Sequence, residues 1–179
     1  RRQRQMCIRD RDKGVREFVS AARLAKAQGR DDIIWQLAGS PDPGNPASIS
    51  EQELAQWQRE IRYLGEVEDI AELYSQSHIV TLPSYREGLP KSLVEAAACG
   101  RAVVTTDVPG CRDAIESGVT GFLVEVCDAE ALYEAVLKLA DDEELRQSMG
   151  RAGHQLALEE FDEKLIANKQ VALYQALLA

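Results

Sequence analysis

Residues 78–106 read HIVTLPSYREGLPKSLVEAAACGRAVVTT, and the fold is decided in this run. His78–Pro83 is short and apolar, the composition of a strand buried on both faces. The polar, glycine-containing segment that follows reads as a loop. Pro90 suits the first turn of a helix, where its missing N–H would have had no partner, and the helix runs to about Cys99 before Gly100 stops it. Ala102–Thr106 is then a second buried strand. A strand, a helix and a strand in succession form a crossover unit, the connection that parallel strands require.

The same alternation extends in both directions. Val15, Phe18, Val19, Ala22 and Ala25 recur at helical spacing over Val15–Ala27, with Gly29 beyond the end. Ile33 to Gly39 is a short apolar run suited to a buried strand, opening into the loop from Ser40 to Pro46. Ser50 and Glu53 resemble a capping box for a helix through about Glu60. A strand at Ile61–Leu64, a helix near Ile70–Gln76, a short helix near Arg112–Glu116 and a strand at Gly121–Val124 follow from the same signals. Helical patterns at Ala129–Ala140, Asp142–Gly150, Ala152–Glu159 and Glu163–Leu178 close the chain. The sum is an α/β domain: a doubly wound, mostly parallel, Rossmann-like sheet with a helical C-terminal segment. Ligands of such sheets bind outside the carboxyl ends of the strands, so the loops after Gly39, Leu64, Pro83 and Thr106 form the expected rim of a site.

Composition narrows the function. The 179 residues carry a net charge of −9, yet seven of the 21 Lys and Arg lie within the first 16 residues. The remainder is strongly acidic, which argues against nucleic acid as a partner. An anionic ligand would have to be held by backbone amides, a helix N-terminus or a few placed cations. No apolar run is long enough to span a membrane and no signal peptide is visible, so a cytoplasmic protein is expected. Cys7, Cys99, Cys111 and Cys127 are widely spaced, read as reduced thiols, and make zinc an unlikely guest. His78 and His154 read as structural, and Trp35 and Trp57 as packing residues.

The loop and helix after His78–Pro83 can hold a phosphate. The N–H groups of Lys91, Ser92 and Leu93 would point out of the helix N-terminus, and the helix dipole favours an anion there. Gly88 lets a ligand come close. Glu87 precedes these amides and Glu95 follows them, so two carboxylates flank the anion site, where they can accept hydrogen bonds from hydroxyls. A diphosphate flanked by two polyols is a nucleotide sugar. By spacing alone the blander reading is favoured, with Lys91 and Glu95 an exposed i,i+4 ion pair and Glu87 a solvated loop residue.

Those residues, and the run from Leu82 through Gly110 with Gly118–Val124 after it, resemble the C-terminal domain of retaining GT-B glycosyltransferases, group 1 or family 4 in type. That group includes bacterial surface-polysaccharide transferases and glycogen synthases. The likeness covers residues 13 to about 178 and decides between the readings above. It implies a nucleoside-diphosphate sugar as donor substrate, no metal and no other cofactor. Glu87 would bind hydroxyls of the transferred sugar and Glu95 the ribose. Gly88 and Leu89 would lie near the sugar, and the amides of Lys91 and Ser92 would hold the diphosphate. Gly65 and Val67 mark where the family holds the base, and Gly39 a close approach, though plain turn glycines explain Gly65 and Gly39 as well. Lys13 matches a phosphate-binding lysine and is grouped with Glu87 as catalytic.

The resemblance also implies a domain division. Residues 13–160 form the nucleotide-sugar-binding domain, and 161–179 a helix that packs towards an N-terminal domain lying outside this chain. That domain would bring the acceptor, a glycan or lipid-linked glycan, and would allow peripheral association with the inner face of a membrane. Residues 1–12 depart from the family. Its phosphate-binding Arg has no match near Cys7 or Ile8, although Arg9 and Arg11 stand close, and the basic stretch lacks an apolar strand. It reads as a non-native scar, with a native basic arm as the rival. Two other functions remain open: a nucleotide-sugar epimerase on the same fold, and a non-catalytic donor-binding or scaffolding module.

Overall fold

The computed structural model describes residues 2–5, 11–40 and 48–178. Its strands are β1 (Arg2–Gln5), β2 (Ile33–Ala38), β3 (Arg62–Gly65), β4 (Ile79–Leu82), β5 (Ala102–Thr106) and β6 (Gly121–Val124). They form one sheet in the order β3-β2-β1-β4-β5-β6. Every neighbouring pair is parallel. The chain builds outward from β1 to β3, then returns to lay β4 on the other side of β1. That reversal puts the switch point of the sheet between β1 and β4, and sheets of this kind carry their ligand crevice at the carboxyl ends of the strands there.

The helices are α1 (Val15–Ala27), α2 (Glu51–Trp57), α3 (Ile70–Gln76), α4 (Lys91–Ala98), α5 (Pro109–Ala114), α6 (Ala129–Asp141), α7 (Glu143–Glu160) and α8 (Glu163–Leu178). All residues of β4 and β5 are buried. Their alternation sorts the core into two halves. Ile79, Ala102 and Val104 face one cluster with residues of α1, α2 and α6. Val80, Leu82 and Val103 face a second with residues of α3, α4 and α5. Trp35 and Trp57 are both buried, as their packing role requires, and Phe18 meets Trp35 edge to face at 5.0 Å. Each large apolar side chain buried this way stabilises the fold by about 1.5–3 kcal/mol.

Several elements differ from the sequence reading, each for a physical reason. The basic N-terminal stretch does contain a strand. Arg2–Gln5 pairs in parallel with both β2 and β4, because a ladder is made by backbone groups and two flanking strands can recruit a polar segment. Cys7, Ile8 and Arg9, and the loop from Pro41 to Pro46, lie outside the described residues. Pro90 is the N-cap of α4 rather than its first helical residue. The expected helix at Arg112–Glu116 begins earlier, at Pro109, whose fixed φ starts α5. The two patterns Asp142–Gly150 and Ala152–Glu159 are one helix, α7, which runs through Gly150. Ser50 and Glu53 do form the capping box: Glu53 N–H donates to Ser50 Oγ at 3.2 Å, and Ser50 N–H to Glu53 Oε2 at 3.1 Å. Cys99, Cys111 and Cys127 are free thiols. Among the described residues no helix is long and apolar enough to cross a membrane.

Candidate functional site

The crevice between the β1 and β4 edges is shaped by the segment Asp12–Glu17 on one side and Ser84–Pro90 on the other. Gly14, the N-cap of α1, sits at φ 68°, and a Cβ there would fall 1.9 Å from the carbonyl oxygen of Pro83. Only glycine allows this approach. It brings the two segments into hydrogen-bond range. Asp12 O accepts from Tyr85 N–H at 2.7 Å and from Ser84 Oγ at 2.8 Å. The Asp12 carboxylate pairs with Arg86 at 2.7 Å, and Tyr85 donates its phenol to Glu17 at 2.8 Å. From the far side, Thr106 Oγ1 donates to Ser84 O, and a Cβ on Gly110 would lie 1.7 Å from Gly88 O. The Glu87–Gly88 turn is therefore clamped between the starts of α1 and α5.

Lys13 and Glu87 meet across this crevice, with Nζ donating to Oε1 at 2.5 Å. Glu87 is 10% exposed and Lys13 27%, so the pair sits at the mouth rather than in bulk water. Next to it α4 begins. Leu93 N–H donates to Pro90 O at 3.0 Å, so the expectation that it would be free is corrected: the first turn tightens onto the cap. The N–H groups of Lys91 and Ser92 open the helix with no carbonyl one turn below them. Those two amides and the positive end of α4 are the groups that can attract an anion there. Glu95 stands one turn further along, its carboxylate 3.5 Å from Lys91 Nζ. That exposed i,i+4 pair is worth only a few tenths of a kcal/mol, and a ligand can displace it at little cost.

The remaining sequence-predicted residues take different places. A Cβ on Gly88 would meet nothing within 4 Å, and Leu89 is 52% exposed, so open space adjoins both. Gly39 and Gly65 tie the ends of β2 and β3 together: Gly39 N–H donates to Gly65 O at 2.7 Å, and Gly39 O accepts from Tyr63 Oη at 2.9 Å. Both have positive φ, so the turn alone accounts for glycine at each. Val67 is half-buried just beyond them. Asp107, just beyond β5, pairs with Arg112 at 2.9 Å.

Sequence reasoning did not find the clamp. Gly14, Gly110, Asp12, Tyr85 and Glu17 carry only generic signals, glycine beside a helix start or charge near a loop, and their partners lie up to 74 residues away. Burial and the hydrogen bond to Glu17 hold the Tyr85 phenol above its ordinary range, so it remains a donor at any physiological pH. Burial likewise pushes up the Cys111 thiol beneath the crevice, partly offset by hydrogen bonds with Thr105 and Thr106.

Comparison with known proteins agrees with this fold. The family described as "Glycosyl transferases group 1" matches residues 9–156. The chain belongs to that family. Among curated relatives, the N,N'-diacetylbacillosaminyl-diphospho-undecaprenol alpha-1,3-N-acetylgalactosaminyltransferase of Campylobacter jejuni is 37% identical over 166 residues, covering 93% of this chain and 42% of that protein. Sucrose-phosphate synthase from Thermosynechococcus elongatus superposes with a TM-score of 0.84 at 26% identity, over 98% of this chain and 45% of that one. Anabaena HepE, solved in complex with UDP, shares the fold at a TM-score of 0.84 and 22% identity, over 97% of this chain and 48% of its own. The chain thus spans less than half the length of each, and its fold is that of the C-terminal domain of a GT-B glycosyltransferase.

Proposed function

We propose that this chain is the donor-binding half of a retaining glycosyltransferase that moves a sugar from a nucleoside diphosphate to a glycan or lipid-linked acceptor. One observation supports the reading: Lys13 meets Glu87 at 2.5 Å just before the start of α4, at the switch point of the sheet, and Glu95 follows one turn into that helix. The diphosphate lies on the two amides at the start of α4. Lys13 exchanges Glu87 for a phosphate oxygen, a swap between two anions that keeps its charge paired. Glu87 is then released to accept hydrogen bonds from hydroxyls of the sugar, beside Gly88 and Leu89, while Glu95 leaves Lys91 for the ribose. The base is received near Gly65 and Val67.

When the glycosidic bond to the diphosphate breaks, negative charge grows on the leaving phosphate, where the amides, the dipole of α4 and Lys13 stabilise it. Charge neutralisation of this kind needs no metal ion. The leaving phosphate takes the acceptor's proton, so no enzyme nucleophile is invoked and Glu87 acts by positioning. The acceptor is bound by a domain outside this chain, and the diphospho-undecaprenol in the name of the Campylobacter relative supports a lipid-linked glycan and peripheral contact with a membrane face. Nucleic acid has no part in this chemistry.

Calorimetric titration of nucleoside diphosphates and nucleotide sugars tests the reading, with Glu95→Ala as control. Binding that weakens roughly tenfold in the variant, without sugar transfer by the chain alone, is the expected result, about the loss of one charge-assisted hydrogen bond. No binding by a folded sample would turn the reading into a scaffold, and a product inverted at C2 would make it an epimerase.

A further inference from the structure

At the other end of the sheet, beside the start of β4 and of β5, lies a cleft of about 720 Å³ between the C-terminus of α4 and one face of α7. Gly150 of α7 approaches so closely that a Cβ on it would lie 2.2 Å from Gly100 O. This contact seats α7 on the end of α4. Residues 146, 147, 150, 151 and 154 lie three, four, seven, eight and eleven places after residue 143, hence on one helical face, turned towards the cleft.

The charge of that cleft is opposite to that of the chain. Arg101, Arg146 and Arg151 and both of the protein's histidines, His78 and His154, line it, against the single carboxylate of Glu143, in a molecule of net charge −9. Two of the guanidinium groups are fixed in place. Arg146, 7% exposed, donates to Leu139 O at 2.8 Å, and Arg101 donates to Cys99 O at 2.8 Å and Ser77 O at 3.0 Å. His154 Nδ1 lies 2.7 Å from Ala98 O, which can only accept, so that nitrogen carries the proton. Capping of helix ends explains Arg101 and Arg146. It accounts for the His154 contact with Ala98 O as well, but not for Arg151, a third guanidinium group at the same space.

We propose that this cleft is a second anion site, binding a phosphorylated small molecule. Fixed guanidinium forks match phosphate oxygens in pairs and lose little side-chain entropy on binding. The volume lies within the range of small-molecule sites. Arg151 and His154, exposed at the mouth, close on the ligand from α7, while Arg101 and Arg146 form the charged wall behind it.

Inorganic pyrophosphate is the probe, titrated by calorimetry into the wild-type chain, Arg151→Glu, His154→Gln and the crevice variant Lys13→Ala. Binding should survive Lys13→Ala and fall at least about tenfold in Arg151→Glu, with a smaller loss in His154→Gln. Both mutated side chains are exposed, and circular dichroism melts confirm folding. Gln147→Glu, which sets a carboxylate at the same cleft, serves as a further variant with the same expected loss. Co-sedimentation with phosphatidylglycerol vesicles separates sources of the phosphate. Recovery that depends on Arg151 assigns a lipid headgroup, and pyrophosphate binding without recovery assigns a free metabolite. Wild type that binds neither probe, or binding and recovery unchanged in Arg151→Glu and Gln147→Glu, overturns the proposal.

Discussion

Lys13 and Glu87 stand 74 residues apart in the chain and 2.5 Å apart in space. Lys13 therefore has a carboxylate as its counter-charge, and on the proposed function a diphosphate competes with that carboxylate for one ammonium group. Lys13→Ala should weaken nucleoside diphosphate binding by roughly ten- to a hundredfold, the value of a charge-assisted hydrogen bond to phosphate, while leaving binding of the unphosphorylated nucleoside unchanged. Paired calorimetric titrations read this directly, and an equal loss for both ligands would mean a general change in the crevice. Gly110 is a stricter position. Alanine is the better helix former by about 1 kcal/mol, but its Cβ would lie 1.7 Å from Gly88 O, and overpacking of that kind costs about 1–3 kcal/mol. The clash should win. Gly110→Ala is expected to lower the melting temperature and weaken donor binding together. Gly153→Ala in α7, whose nearest contact would be an ordinary 3.6 Å from Ala97 Cβ, should leave both intact or raise stability.

At the scale of elements, local chemistry was the part most readable in advance. The helices at Val15–Ala27, Ile70–Gln76 and Glu163–Leu178 and the strands at Ala102–Thr106 and Gly121–Val124 coincide with their sequence patterns, since periodicity and punctuation are properties of adjacent residues. The capping box of α2 was legible for the same reason, and it has a pH signature. A hydrogen bond from Arg16, with Ser50 adding to it, holds the Glu53 carboxyl down to about 2 from an ordinary 4.5. A carboxyl depressed by folding contributes stability above its unfolded value and loses it as the pH falls through the folded one. Its contribution, about 1 kcal/mol or less at this half-exposed place, should be full at neutral pH and vanish between about 4.5 and 2. Urea midpoints of wild type and Glu53→Gln should therefore differ at pH 7 and converge in acid. A gap that persists at low pH would put the effect elsewhere. The strand β1 was not legible, because Arg2–Gln5 carries no apolar alternation. Its place is made by pairing on both edges, which a side-chain pattern does not record.

For the molecule as a whole, α8 leaves much of its described apolar surface uncovered. Ile166, Val171, Leu173, Tyr174 and Leu177 are exposed along it. Apolar exposure of this extent on one helix predicts concentration-dependent self-association of the chain, visible in sedimentation velocity, and a single concentration-independent species would contradict it. The crevice itself is a property of the whole. The strand-loop-helix run through Glu87, Lys91, Ser92 and Glu95 could be read from residues in order, because strand, cap and helix are local and the two carboxylates flank the helix start by spacing alone. The sequence by itself thus determined the alternating elements, the doubly wound class and the place where α4 starts. Only the tertiary structure decided the strand order, the reversal between β1 and β4 that opens the crevice, the meeting of Lys13 with Glu87, and the clamp formed by Gly14 and Gly110. Those features depend on backbone pairing and close approach between segments tens of residues apart. Such contacts are selected by how the sheet packs as a whole, and no local periodicity encodes them.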